Sequence, residues 1–225
     1  MKDRVNIICL LWKGNFRGRD YNDKDVESLR QTVAKHIDRP FRFYCLTNDM
    51  NANIPAEKIE LLHNWPGWWS KIELFRPDLP CGRTLYLDLD THIVNDLAPI
   101  LDAKGNLVMF ESKEKTGRVL LTGDGRKVVK YQAGTMLFTP ASLTWVYNKF
   151  KKNAKHYIRK YRSEQDIYGD WLPNQPVFKY NWLMKIGQLE KRKKLDDDTI
   201  IVSGNKKGAF RDPEFAPWLN KIARQ

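Results

Sequence analysis

The chain has 225 residues and a formal net charge of +12, with 42% hydrophobic and 12% aromatic residues. That composition excludes a disordered chain, and the length suffices for a substantial core. No apolar span approaches the roughly 20 residues a membrane helix needs, and Met1 to Ile7 lacks the apolar stretch of a secretory signal, so the expected location is cytoplasmic.

Val5 to Trp12 is a continuous apolar run, fit for a buried parallel strand. A polar loop with Gly14 and Gly18 follows. From Asp25 to Ile37, Val26, Leu29, Val33 and Ile37 recur at helical spacing, and Pro40 closes that helix. Phe41 to Leu46 reads as a second strand. Strand, helix, strand opens an α/β fold with a right-handed crossover. Ligands in such sheets sit beyond the carboxyl ends of the strands, which gathers Trp12, Thr47 and the acidic pair described next. Cys9, Cys45 and Cys81 lie in or beside apolar runs without metal-ligand spacing and read as reduced, buried small hydrophobes.

Trp65 to Trp69 reads as a loop, and Ser70 to Phe75 as a short helix with Ser70 as N-cap and Glu73 completing a capping box. Next comes the most informative stretch, Thr84 to Asp90. Leu85, Leu87 and Leu89 alternate with Tyr86, Asp88 and Asp90, the period of a strand with one face in the core. Both aspartates then point the same way, where a buried strand emerges. Two anions that close repel unless a cation lies between them, and carboxylates suit Mg²⁺ or Mn²⁺, which often bring phosphates. The bland alternative is a pair of solvated acids. His36, His63, His92 and His156 form no ligand cluster, and His92 reads as structural.

Leu107 to Phe110 is a further strand, and Glu111 to Lys130 a long polar loop. Gln132 to Thr139 is a strand that opens on the small pair Ala133-Gly134, of a kind that admits close backbone or ligand approach. From Ser142 the pattern is helical. Phe150, Ala154, Tyr157, Ile158 and Tyr161 share one face, with Lys149, Lys152, Lys155, Arg159, Lys160 and Arg162 on the other: a basic amphipathic helix. Lys191 to Lys194 followed by Asp196 to Asp198 reads as a charged turn without assigned function. Residues 147–225 hold 18 Lys/Arg against 9 Asp/Glu, so the last third carries nine of the twelve surplus charges. An anionic partner is expected there: nucleic acid, another phosphate-rich polymer, or peripheral contact with an acidic membrane surface.

Several segments together resemble a known group. Tyr86 to Thr91 resembles the DxD strand of nucleotide-sugar glycosyltransferases with the GT-A fold, nearest to the glycogenin and lipopolysaccharide galactosyltransferase family. Ser70-Lys71-Ile72 resembles the helix before that strand, Gln132 to Leu137 the "asparagine-alanine-glycine" strand, and Glu164 to Ile167 the "aspartate-glutamine-aspartate" segment, all in the family's order. The resemblance implies a single α/β domain over residues 1–225, a Rossmann-like mixed sheet flanked by helices. Its donor-binding part would be about 1–110 and its acceptor side about 111–225.

The resemblance also implies roles. Asp88 and Asp90 would hold Mn²⁺ or Mg²⁺ against the diphosphate of a nucleotide-sugar donor, a UDP-sugar first. Lys71 would approach the donor, Trp12 and Thr47 would seat the nucleotide, and Gln132, Ala133 and Gly134 would line the sugar pocket. Glu164, Gln165 and Asp166 would lie beside the reacting carbon, either stabilising oxocarbenium charge or, if configuration inverts, supplying a base. The family commonly places a histidine as third metal ligand near the C-terminal end. Here that position corresponds to Ser203, with Asn205 nearby, and Lys206 and Lys207 keep the basic character expected beside a diphosphate. The acceptor would be a hydroxyl on a glycan, a lipopolysaccharide or a modified DNA base. Nucleotidyltransferase chemistry and non-catalytic nucleic-acid binding are the competing classes. The absence of a Gly-rich Lys/Arg signature after the first strand argues against the former.

Overall fold

The apolar run at the start of the chain forms a strand in the middle of a sheet. The computed structural model describes residues 4–16, 21–112 and 131–204. β1 (Val5–Leu11) leads through α1 (Asp23–Lys35) to β2 (Phe41–Thr47), and β3 (Glu57–Glu60) follows. Asn22 caps α1: its side chain accepts from the Lys24 amide while Asp25 reaches back to the Asn22 amide, a reciprocal cap worth about 1 kcal/mol. The crossover returns the chain beside its first strand, and β1 and β2 pair in parallel from Val5↔Phe41 to Leu11↔Thr47.

β4 (Thr84–Leu87) and β5 (Thr91–Ile93) flank the acidic pair, and α2 (Ala98–Leu101) leads to β6 (Leu107–Glu111) and β7 (Tyr131–Phe138). The main sheet has the order β3-β2-β1-β4-β7-β6, in which β7 alone runs against the others. Then come α3 (Pro140–Lys152), α4 (Ala154–Lys160), α5 (Glu164–Trp171), β8 (Leu183–Lys185), α6 (Ile186–Arg192) and β9 (Ile201–Ser203). A second sheet, β5-β9-β8, is built from three-residue strands. Among the described residues no helix is long and apolar enough to cross a membrane.

Several elements differ from expectation. All four residues of β4 are buried: Leu85 and Leu87 pack with Ile7, Cys9 and Leu11 on one side, while Tyr86 packs with Ile72 and Phe75 on the other. A central parallel strand is covered on both faces, so the alternation separates two cores rather than core from water. The Ser70 cap is also replaced. Gly67–Phe75 is a 3-10 helix with no side-chain cap, and the Ser70 hydroxyl donates to the Gly67 carbonyl. Glu73 is fully buried and instead accepts from the Leu62 and His63 amides at 2.8 and 3.1 Å, with Arg76 at 3.0 Å. The expected long basic helix breaks in two at Asn153 (φ −149°), the C-cap of α3. Cys9 and Cys45 are buried and face each other across β1 and β2, whereas Cys81 is exposed in the loop before β4. The expected loop from Glu111 to Lys130 lies outside the described residues from 113 onward.

Candidate active site

β4 ends at Leu87, and Asp88-Leu89-Asp90 forms the turn into β5. The turn is pinned at both ends. The Asp88 amide donates to the Gly134 carbonyl of β7 at 2.8 Å, and the Gly204 amide donates to the Asp90 carbonyl at 3.1 Å. Leu89 is buried and anchors the turn from below. The main sheet thus holds one carboxylate, and the small sheet reaches the other.

Lys71 comes up from the 3-10 helix, buried rather than exposed on a helix face. Its ammonium stands 2.8 Å from Asp88 Oδ1 and 2.9 Å from Oδ2, with Glu164 Oε1 and the Ala133 carbonyl each at 3.4 Å. The Tyr86 hydroxyl donates to Asp88 Oδ1. Burial alone depresses the Lys71 pKa, but Asp88, Glu164 and Asp90 outweigh it and hold the ammonium above the ordinary lysine value. Glu164 behaves oppositely. Burial, helped by the Asp88 charge, pushes its carboxyl up to about 7 against the pull of Lys71. One ammonium does not neutralise two carboxylates, and Asp88 has the closer contacts. The buried Glu164, held by Lys71 only at 3.4 Å, therefore takes up a proton far more readily than an ordinary glutamate.

Two cavities open on the turn, with Asp88, Asp90 and Gln165 lining both. The first, about 280 Å³, is aromatic: Trp12, Phe16, Tyr21, Trp68 and Tyr86 line it, with Lys71 and Glu164 at its inner end. Phe16 stacks edge-on to Trp68 at 4.7 Å, and Trp12 Nε1 donates to Asn64 Oδ1 at 3.2 Å. Gly67 makes this packing fit, because its φ of +55° suits glycine and a β-carbon there would collide with the Phe16 ring. The second cavity, about 180 Å³, is polar, with Thr91, Ser112, Gln132, Thr135, Lys185 and Ser203 in its wall. The β6–β7 register slips between Met109 and Phe110, leaving Ala133 to Thr135 without β6 partners in the ladder, and the cavity lies there. Gln132 Oε1 and Thr91 Oγ1 are buried at this wall without hydrogen-bond partners.

Most of the expected residues converge here: Trp12, Lys71, Asp88, Asp90, Gln132, Gly134, Glu164, Gln165 and Ser203. Gly134 is closest, since a β-carbon on it would stand 3.1 Å from Asp88 Oδ2. Ser203 pairs with Thr91 across β5 and β9, and its hydroxyl accepts from Lys185 Nζ at 3.1 Å. Three residues are placed otherwise. Thr47 is fully buried and its hydroxyl accepts from the Asp49 amide at 3.0 Å, lining neither cavity. Ala133 points its methyl into the core and offers only its carbonyl. Asp166 accepts from the Arg162 amide at 3.1 Å, a helix-start role away from both cavities. Asn205 and Lys206 lie outside the described residues. His92 is buried in β5, and burial pushes its pKa down to about 4, so it is neutral.

The sequence reading missed Phe16, Tyr21, Trp68 and Lys185 as site residues. Trp68 carried a signal, an aromatic beside Pro66-Gly67 on the approach to Lys71, while Lys185 in a three-residue strand carried none. The donor set suits a hard divalent cation in kind, with two carboxylates and the Ser203 hydroxyl. Among the described residues no group of three or more His, Cys, Asp or Glu converges, so water or a neutral oxygen must complete any such shell.

The fold is that of solved glycosyltransferases of the GT-A type, as the resemblance implied. The galactosyltransferase LgtC, solved in complex with donor and acceptor sugar analogues, matches at a TM-score of 0.59 and 13% identity over 96% of both chains. An active-site glutamine-to-glutamate mutant of LgtC matches at 0.62 and 14% identity, again over 96% of each. The glycosyltransferase GlyE of Streptococcus pneumoniae TIGR4 matches at 0.62 and 13% identity, and this chain spans 63% of its length. No protein-family model and no curated protein matches the chain.

Proposed function

We propose that the chain is a glycosyltransferase that moves a sugar from a nucleotide-sugar donor to a hydroxyl acceptor. The observation that carries this reading is the shared wall: Asp88, Asp90 and Gln165 separate an aromatic cavity from a polar one. A reaction joining two substrates needs two sites that meet at the reacting atoms. The aromatic cavity suits a nucleobase resting against the wall of Trp12, Phe16 and Trp68, which makes a UDP-sugar the first donor to try. Asp88 and Asp90 would hold Mg²⁺ or Mn²⁺, which when bound neutralises charge on the departing diphosphate. Lys71, kept charged and pinned to Asp88, fixes that carboxylate's orientation.

The polar cavity takes the sugar and the acceptor hydroxyl, and its unpartnered Gln132 and Thr91 oxygens are ready acceptors for hydroxyl protons. Gln165 reaches both cavities, and its amide oxygen stabilises positive charge as the glycosidic bond loosens. Among the described residues the carboxylates that line the polar cavity are Asp88 and Asp90, since Glu164 lies on the aromatic side and Asp166 faces Arg162. The division into a donor part and an acceptor part is less clean than the order of segments suggests, because Ser163 to Gln165 close the aromatic cavity.

The test is release of nucleoside diphosphate from a panel of nucleotide sugars, with Mn²⁺, with Mg²⁺ and with EDTA. The expected result is metal-stimulated release from a UDP-sugar that is lost in Asp90→Asn with the fold retained. Nucleoside monophosphate or pyrophosphate as product would instead favour nucleotidyl transfer.

A further inference from the structure

The polar face of α3 and α4 is not used by the site described above. Residues 131–163 contain seven Lys/Arg and no Asp or Glu. Lys155, His156, Arg159, Lys160 and Arg162 are all exposed, and α4 buries no residue fully. Rings lie among these charges. Trp145, 44% exposed, stands 6.3 Å from Trp171, and Tyr157 and Tyr161 continue the row at 4.8 and 6.4 Å from Trp171. Lys149 sits 4.0 Å over the Trp171 ring and Lys160 5.0 Å over that of Tyr161.

This row leads into the site. Tyr161 and Ser163 are extended, and Ser163 and Glu164 line the aromatic cavity. Lys160 lies three residues before Ser163, no more than roughly 10 Å of extended chain. One or two nucleotides span that distance.

We infer that the α3–α4 face binds a single strand of nucleic acid and delivers a hydroxyl-bearing nucleotide past Ser163 to Gln165, where the two cavities meet. The acceptor of the proposed transfer is then a nucleic acid, and the inference rests on the transferase reading only for that last clause. Cations alternating with partly exposed rings match a strand of phosphates and unpaired bases. A lipid surface fits less well, because Ala154, Tyr157 and Ile158 are half-buried against the core and Trp145 is the one large apolar side chain of α3 and α4 in the open, too little apolar surface to insert. A neutral glycan stacks on rings but has no use for seven cations.

The experiment is fluorescence anisotropy of the full chain with a labelled oligothymidylate of roughly 20 nucleotides, a length of one or two ordinary binding sites. It runs across a salt series, beside flotation with phosphatidylcholine–phosphatidylglycerol vesicles. The variant Lys155→Ala/Arg159→Ala/Lys160→Ala changes exposed side chains only. It is expected to weaken oligonucleotide binding at least tenfold and to reduce the salt slope by about two, from three lost contacts at about 0.7 each. Trp145→Ala is expected to weaken binding about fivefold through lost stacking. Unchanged affinity in the triple variant, or capture by vesicles with none by the oligonucleotide, overturns the inference. Donor hydrolysis without acceptor is expected to be equal in wild type and triple variant, which separates the two readings. Oligonucleotide binding without any donor turnover sinks the transferase reading alone, and donor turnover without oligonucleotide binding sinks this inference alone.

Discussion

The two cavities that meet at Asp88-Leu89-Asp90 are built on different plans. The aromatic one sits at the carboxyl ends of long parallel strands, and its inner end is a buried charge cluster of Lys71, Asp88 and Glu164. The polar one is walled by three-residue strands, a slipped register in β6–β7 and side chains with unspent hydrogen-bonding capacity. The first is a seat whose one ammonium, Lys71, faces both Asp88 and Glu164. The second is a smaller site with unpartnered oxygens on Gln132 and Thr91. Such a division suits an enzyme whose donor is constant in chemistry and whose acceptor sets specificity.

The largest effects are expected on the shared wall. Asp88→Asn or Asp90→Asn should lower turnover about 1,000-fold, as loss of a group aimed at developing charge does, while the thermal unfolding midpoint of Asp90→Asn stays near wild type. Lys71→Met should act on the seat itself. It leaves Asp88 facing Glu164 with no cation between them, and breaking a buried pair from one side costs about 3–5 kcal/mol, read by urea unfolding. A variant that unfolds at the wild-type midpoint would remove the contrast between the two cavities.

Glu164 sharpens the comparison through pH. Its native carboxyl is raised to about 7, above the value near 4.5 of an unfolded glutamate, so between those values the folded state holds the proton more tightly. Stability contributed by that proton is complete below the unfolded value and is lost as pH rises through about 7, with a slope of at most about 1.4 kcal/mol per pH unit. Glu164→Gln should flatten the slope measured by urea unfolding between pH 5 and 8. An unchanged slope would mean that Glu164 is ionised beside Lys71.

How far the sequence disclosed this arrangement depended on strand length. Val5 to Leu11, Phe41 to Thr47 and Thr84 to Leu87 carry apolar runs long enough to read, and their ends located Trp12 and the acidic pair. β3 escaped because Glu57-Lys58-Ile59-Glu60 has one apolar residue and is held at the sheet edge by backbone pairing with β2. The small sheet escaped because three residues display no period, so Lys185 and the Thr91–Ser203 pairing were invisible. Thr47 was misplaced for a subtler reason: a strand end points its last side chain to one face only, and here that face is the interior. Ser203 was found through its place in a segment, and Lys185 beside it only through contact in space.

Smaller effects should fall on the polar side. Gly134→Ala puts a β-carbon 3.1 Å from Asp88 Oδ2, so the carboxylate must yield by a few tenths of an ångström, and a drop of about tenfold in kcat is expected with the fold intact. Gln132→Ala should raise the acceptor KM a fewfold, while Trp68→Ala should raise the donor KM instead. A variant that moved both constants together would deny that the cavities divide the substrates.

The most direct measurement is a crystal structure of the protein soaked with UDP and Mn²⁺. The account predicts the base among Trp12, Phe16 and Trp68, the diphosphate beside Asp88 and Asp90, and the polar cavity free of nucleotide. A base seated in the polar cavity, or a nucleotide bound away from both carboxylates, would contradict it.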